Sequence, residues 1–120
     1  MELKFTEIYE YVKSITKKHE TVCKYLNGKI YKLSSPNLDK YYIGSTTQSL
    51  KERLQHHVTH WKAGRTDSTS FKILDAEDYK IELIEDFPCT SKNQLEKREG
   101  WYQKKYKNEI VNIVIAGRTK

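Results

Sequence analysis

The stretch KIYKLSSPNLDKYYIG, residues 29–44, sets two short aromatic and aliphatic pieces on either side of a polar spacer. Residues 29–33 and 40–45 favour extended backbone, and Ser34-Ser35-Pro36-Asn37-Leu38-Asp39 has the composition of a loop, so the pattern predicts strand, loop, strand. Pairing Leu33 with Lys40 across that loop in an antiparallel ladder sets Tyr31 directly opposite Tyr42 and Ile30 opposite Ile43. Both tyrosines then project from one face of the hairpin.

Upstream, in TVCKYLNGKIYKL, the dipeptide Asn27-Gly28 tolerates positive φ and predicts a two-residue turn, with an extra strand over residues 21–26. Phe5, Ile8, Val12 and Ile15 recur at helical spacing and predict an amphipathic helix over residues 3–18. Downstream, SLKERLQHHVTHW places Ser49 three residues before Glu52, the spacing of a capping box, and carries Leu50, Leu54, Val58 and Trp61 on one stripe. A short helix is expected around residues 69–76, a third strand in YKIELIEDF before Pro88, and a helix from Ser91 to about Tyr106 with Gln94 at the capping-box position. The last apolar segment, EIVNIVIAG, reads as a short strand or an extended edge. Without internal repeats or low-complexity tracts, the chain is expected to form one α/β (α+β) unit.

A length of 120 residues leaves room for a single modest core. Lys and Arg outnumber Asp and Glu by 22 to 16, and the resulting net charge of +6 suits an anionic partner such as nucleic acid as well as it suits an ordinary soluble surface. Cys23 and Cys89 lack metal-ligand spacing and are too few for a disulfide framework, so free thiols and an intracellular setting are expected. No apolar run reaches membrane-spanning length, and the N-terminus is charged and amphipathic, unlike a secretion signal.

Arg53 and His57 stand four apart on the second predicted helix and share a face beside its apolar stripe. An arginine fork there suits a phosphate, with the imidazole donating to it or relaying a proton; the alternative is a solvated helix face. Glu99 interrupts a stripe of Leu95, Tyr102 and Tyr106, an expensive place for a carboxylate without a partner. That partner is either a divalent cation bound through one carboxylate and waters, or a nearby Lys or Arg; an ordinary surface position for Glu96 or Glu99 is the remaining alternative. Gly100 beside it permits close packing. Tyr31 and Tyr42 fit sheet packing, since a phenol is a poor base unless a neighbour lowers its pKa or takes its proton.

Taken in order, Lys29-Ile30-Tyr31, Tyr42-Ile43-Gly44, Arg53, His57, Glu99 in EKREGWY and Asn112 in VNIVIAG closely resemble the GIY-YIG nuclease family, over about residues 28–117. The resemblance implies a three-stranded antiparallel sheet flanked by helices and a phosphodiester hydrolase acting on DNA with one divalent cation, Mg2+ or Mn2+. It implies that Glu99 holds the metal and Arg53 stabilises the scissile phosphate. Tyr31 would activate the attacking water, and Tyr42 and His57 would position groups or assist proton transfer. Gly44 would allow a close approach, and Asn112 would support the site. Residues 1–27 would be a helix and connection packed on this domain, and 118–120 a tail. Lys29 departs from the family pattern, which has glycine before Ile30, although Gly28 is adjacent. A non-catalytic nucleic-acid-binding module is the alternative. Recognition of a long DNA site would require a further domain or partner, since no zinc finger or helix-turn-helix is visible.

Overall fold

The alternation of Ile30, Tyr31 and Leu33 with lysines is realised as the middle strand of a sheet in a computed structural model that describes residues 23–112. Strand β1 (Lys29–Ser34) is followed by β2 (Tyr42–Thr46), α1 (Leu50–Lys62), α2 (Phe71–Asp75), β3 (Lys80–Asp86) and α3 (Lys92–Lys105). The three strands are antiparallel in the order β2-β1-β3, as the family resemblance implies. The N-cap half of each capping box forms: Ser49 accepts from the Glu52 amide at 3.1 Å, and Ser91 accepts from the Gln94 amide at 3.2 Å, while Glu52 accepts from the Ser49 hydroxyl and Gln94 from Thr90. Each N-cap bond satisfies an amide that the first helical turn otherwise leaves unpaired.

Successive side chains of a strand face opposite ways, so β1 feeds two cores. On one face Tyr31 and Leu33 pack with Val58 of α1 and with Ile73 and Leu74 of α2. On the other, Ile30 and Ile43 pack with Leu95 and Tyr102 of α3 and with Cys89 and Ile110. Ile30, Tyr31, Leu33, Ile43, Ile73 and Leu74 are wholly inaccessible to solvent. Burying each such side chain favours folding by roughly 1.5–3 kcal/mol. Cys23 and Cys89 are both free thiols, as expected. No described helix is long and apolar enough to cross a membrane.

The hairpin register differs from the expected one by two residues. Tyr31 pairs with Gly44 and Leu33 with Tyr42, where the loop length had predicted Tyr31 opposite Tyr42 and Ile30 opposite Ile43. The loop is held at both ends, and this lengthens it. Ser35 and Asn37 donate to the carbonyls of Glu77 and Ala76 at 2.5 and 2.6 Å. Tyr41 leaves the hairpin to exchange backbone hydrogen bonds with Glu109 and Val111. A slip of two keeps every side chain on its expected face, so both tyrosines still share one side.

The extra strand expected at residues 21–26 is also corrected. Residues 23–25 are helical, and the amides of Leu26, Asn27 and Gly28 close tight turns onto Cys23, Lys24 and Tyr25. Gly28 serves packing: a methyl group there would collide with the Phe87 carbonyl, which passes too close for any Cβ. The helix expected over residues 3–18 lies outside the described residues. The C-terminal apolar segment contributes one parallel bridge, Ile110 with Tyr41, rather than a strand within the described residues.

Candidate active site

Glycine at position 44 leaves a vacancy directly across from Tyr31, and the phenol ring occupies it. A Cβ at residue 44 would lie 2.5 Å from the Tyr31 hydroxyl and 2.9 Å from the Tyr42 ring. The two tyrosines are diagonal neighbours, with ring centroids 6.3 Å apart. Tyr31 is buried and its hydroxyl is fixed by hydrogen bonds, so the ring has little freedom to yield. Gly44→Ala is expected to lower stability by about 1–3 kcal/mol, the usual cost of overpacking, measured by thermal or urea melts.

Helix α1 presents Arg53 and His57 to that hydroxyl from successive turns. Arg53 Nε donates to Tyr31 at 3.1 Å, and the Tyr31 oxygen lies 2.6 Å from His57 Nε2. Arginine can only donate, so the phenol proton points at the imidazole. His57 is a buried group, and desolvation followed by the Arg53 charge pushes its pKa down to about 3. The ring is therefore neutral, accepts at Nε2 and carries its proton on Nδ1, which lies 3.1 Å from Ser70 Oγ. Ser70 stands just before α2, yet its hydroxyl does not cap that helix. It lies 3.1 Å from Ser68 Oγ, and Ser68 in turn donates to Tyr42 over a long 3.5 Å. Burial raises the pKa of Tyr31 and of Tyr42, with Arg53 opposing the rise at both. Both are phenols at neutral pH.

The low pKa of His57 has a consequence for stability. In the unfolded chain a histidine takes up a proton near pH 6.5, while His57 in the fold resists it down to about 3. The unfolded state therefore binds more protons between those limits, and stability falls as pH drops through that window. At roughly 1.4 kcal/mol per pH unit, lowering pH from 7 to 5 is expected to cost about 2 kcal/mol. Urea melts of the wild type and of His57→Gln at the two pH values check this; the variant should lose most of the difference.

Glu99 comes from the opposite layer, around the free edge of β2. Its carboxylate accepts hydrogen bonds from Ser45 Oγ and, at 2.9 Å, from Gln103 Nε2. Desolvation raises its pKa. Among the described residues no Lys or Arg forms an ion pair with it. Glu99 lines a cavity of about 340 Å3 with Tyr42, Asp67, Ser68, Gln103 and Asn112. Among the described residues there is no cluster of three or more His, Cys, Asp or Glu able to hold a metal ion. One carboxylate facing an open cavity of oxygen donors fits Mg2+ or Mn2+, which keep waters and take substrate oxygens.

Asn112 makes two hydrogen bonds to the backbone of one residue: Oδ1 accepts from the Ile43 amide at 3.0 Å and Nδ2 donates to the Ile43 carbonyl at 2.9 Å. Gln103 also donates to that carbonyl, at 3.0 Å. Tyr31, Arg53 and His57 thus meet directly, while Tyr42 joins them to the cavity of Glu99 and Asn112. Arg53 and His57 line a neighbouring cavity of about 210 Å3, and Asp67 and Ser68 border both. Sequence reasoning did not find Ser45, Gln103, Ser68 or Ser70. Gln103 had a signal, being four residues from Glu99 on the same helix.

A mutant of the catalytic domain of intron endonuclease I-TevI superposes with a TM-score of 0.60 at 20% identity, covering 77% of this chain and 96% of that one. The catalytic domain of homing endonuclease I-TevI gives 0.58 at 20% identity, covering 72% and 98%. At such identity these likenesses establish the fold. No curated protein sequence matches the chain significantly. The sequence profile of the GIY-YIG catalytic domain matches residues 27–112, which include both tyrosine motifs, Arg53, His57, Glu99 and Asn112. The chain therefore belongs to the GIY-YIG nuclease family.

Proposed function

We propose that this chain is an endonuclease that hydrolyses DNA phosphodiesters with one divalent cation, Mg2+ or Mn2+, held at Glu99. The observation that carries the proposal is the Tyr31 hydroxyl placed between an arginine donor and a neutral imidazole acceptor, with a partly buried carboxylate beside Tyr42 that no Lys or Arg among the described residues pairs with. Tyr31 passes its proton to His57 Nε2 as it takes one from the attacking water, so no free phenolate need form at neutral pH. Ser70 keeps His57 in the accepting tautomer. Arg53 uses Nε on Tyr31, leaving its two terminal nitrogens for the scissile phosphate. Tyr42 positions the phosphate at the mouth of the Glu99 cavity, and Asn112 and Gln103 hold β2 and Glu99 in register. A cation at Glu99 supplies charge against the developing phosphate dianion.

The net charge of +6 supports DNA as the anionic partner. An intracellular setting agrees with the two free thiols. Residues 1–27 act as an accessory to the catalytic domain, and recognition of a long site falls to a further domain or partner. Incubation with duplex, nicked, flap and junction DNAs in Mg2+ or Mn2+ tests the proposal. Cleavage of one of these, lost in EDTA, is expected; salt-dependent binding without cleavage of any would replace the enzyme with a binding module.

A further inference from the structure

Two histidines of α1 have no part in the chemistry above. His56 and His60 stand one helical turn apart, with His56 exposed where its neighbour His57 is buried. Their Nε2 atoms lie 3.0 Å apart, with ring centroids at 4.5 Å and planes crossing at 83°. Both rings line the cavity of about 210 Å3 that holds Arg53 and His57. At this separation one Nε2 donates and the other accepts, so the two ring nitrogens stand as nearest neighbours on the cavity wall.

A cation that displaces the shared proton and sits to one side of the line between the nitrogens makes them adjacent ligands. With metal–imidazole bonds of about 2.0–2.1 Å, neighbouring coordination positions stand roughly 2.9–3.4 Å apart, which brackets the separation here. We propose that His56 and His60 form a two-point site for a borderline divalent cation of the class of Zn2+ or Ni2+ on the wall of this cavity. Imidazole selects such ions, whereas Mg2+ takes oxygen ligands, so the site differs in kind from the carboxylate at Glu99. Arg53 and Arg65 line the same cavity and repel a cation, and Asp67 there offsets part of that charge. Two protein ligands leave the remaining positions to water or to an incoming phosphate oxygen. The site exists whether or not the chain cleaves DNA.

Calorimetric titration of the full chain with NiCl2 and with ZnCl2, in excess MgCl2, tests the proposal. One equivalent is expected to bind regardless of Mg2+, and His56→Ala or His60→Ala should each weaken it by roughly tenfold or more, since even loss of an outer-shell partner costs about 10–100-fold. A His19→Ala/Cys23→Ser variant should bind as the wild type does. Circular dichroism confirms that each variant folds. Absence of binding by the wild type, unchanged affinity in His56→Ala/His60→Ala, or loss of binding in His19→Ala/Cys23→Ser would overturn it.

Discussion

Glu99→Gln is expected to reduce cleavage by roughly 1,000-fold or more while leaving stability within about 1 kcal/mol of the wild type. The amide keeps the carbonyl that accepts from Ser45, but it turns a donor toward Gln103 and loses that bond. Against this loss stands the relief of a carboxylate whose burial already raises its pKa. Activity and stability should therefore separate, as they do at sites where charge is held at a cost for chemistry. Single-turnover cleavage and a thermal melt of the same preparation check both halves. Cleavage within tenfold of the wild type, with the fold intact, would remove Glu99 from the mechanism.

Tyr31→Phe is expected to lower cleavage by roughly 100- to 10,000-fold, the range of a positioned acid-base group. Phenylalanine preserves the ring over Gly44 and its packing against Tyr42, so the core face of β1 is retained. What disappears is the oxygen between Arg53 Nε and His57 Nε2. Two polar partners then lose a hydrogen bond, at a cost of about 1–3 kcal/mol in stability, offset in part by removing a desolvated hydroxyl. Rates measured at saturating DNA and metal distinguish the chemical step from binding. If DNA affinity fell and the bound rate did not, Tyr31 would be a binding group and not the water's proton acceptor.

The elements of this fold were legible because each has a local cause. Ser49 and Ser91 mark helix starts through bonds that span three residues, and β1 announces itself by its alternation. The register of the hairpin has no local cause. It depends on Tyr41 pairing with the backbone around Ile110 and on Ser35 reaching the turn after α2, contacts between segments far apart in the chain. Asn27-Gly28 misled for a related reason: the glycine is demanded by the passing Phe87 carbonyl, not by a turn. At the site, Tyr31, Arg53 and His57 could be named from family likeness, while the serines that orient them sit in a loop with no pattern of its own. Glu99 was conspicuous as a carboxylate on an apolar face, but Ser45, one residue beyond Gly44, became its partner only once β2 and α3 were packed.

The two hydrogen bonds of Asn112 to Ile43 cover the outer edge of β2 where it borders the candidate site. A side-chain amide there takes up the hydrogen bonds that a neighbouring strand would otherwise make to Ile43. The backbone groups of Ile43 with which a strand of a second molecule would pair, the hazard of an exposed edge, are thereby already taken beside the cavity that Glu99 lines.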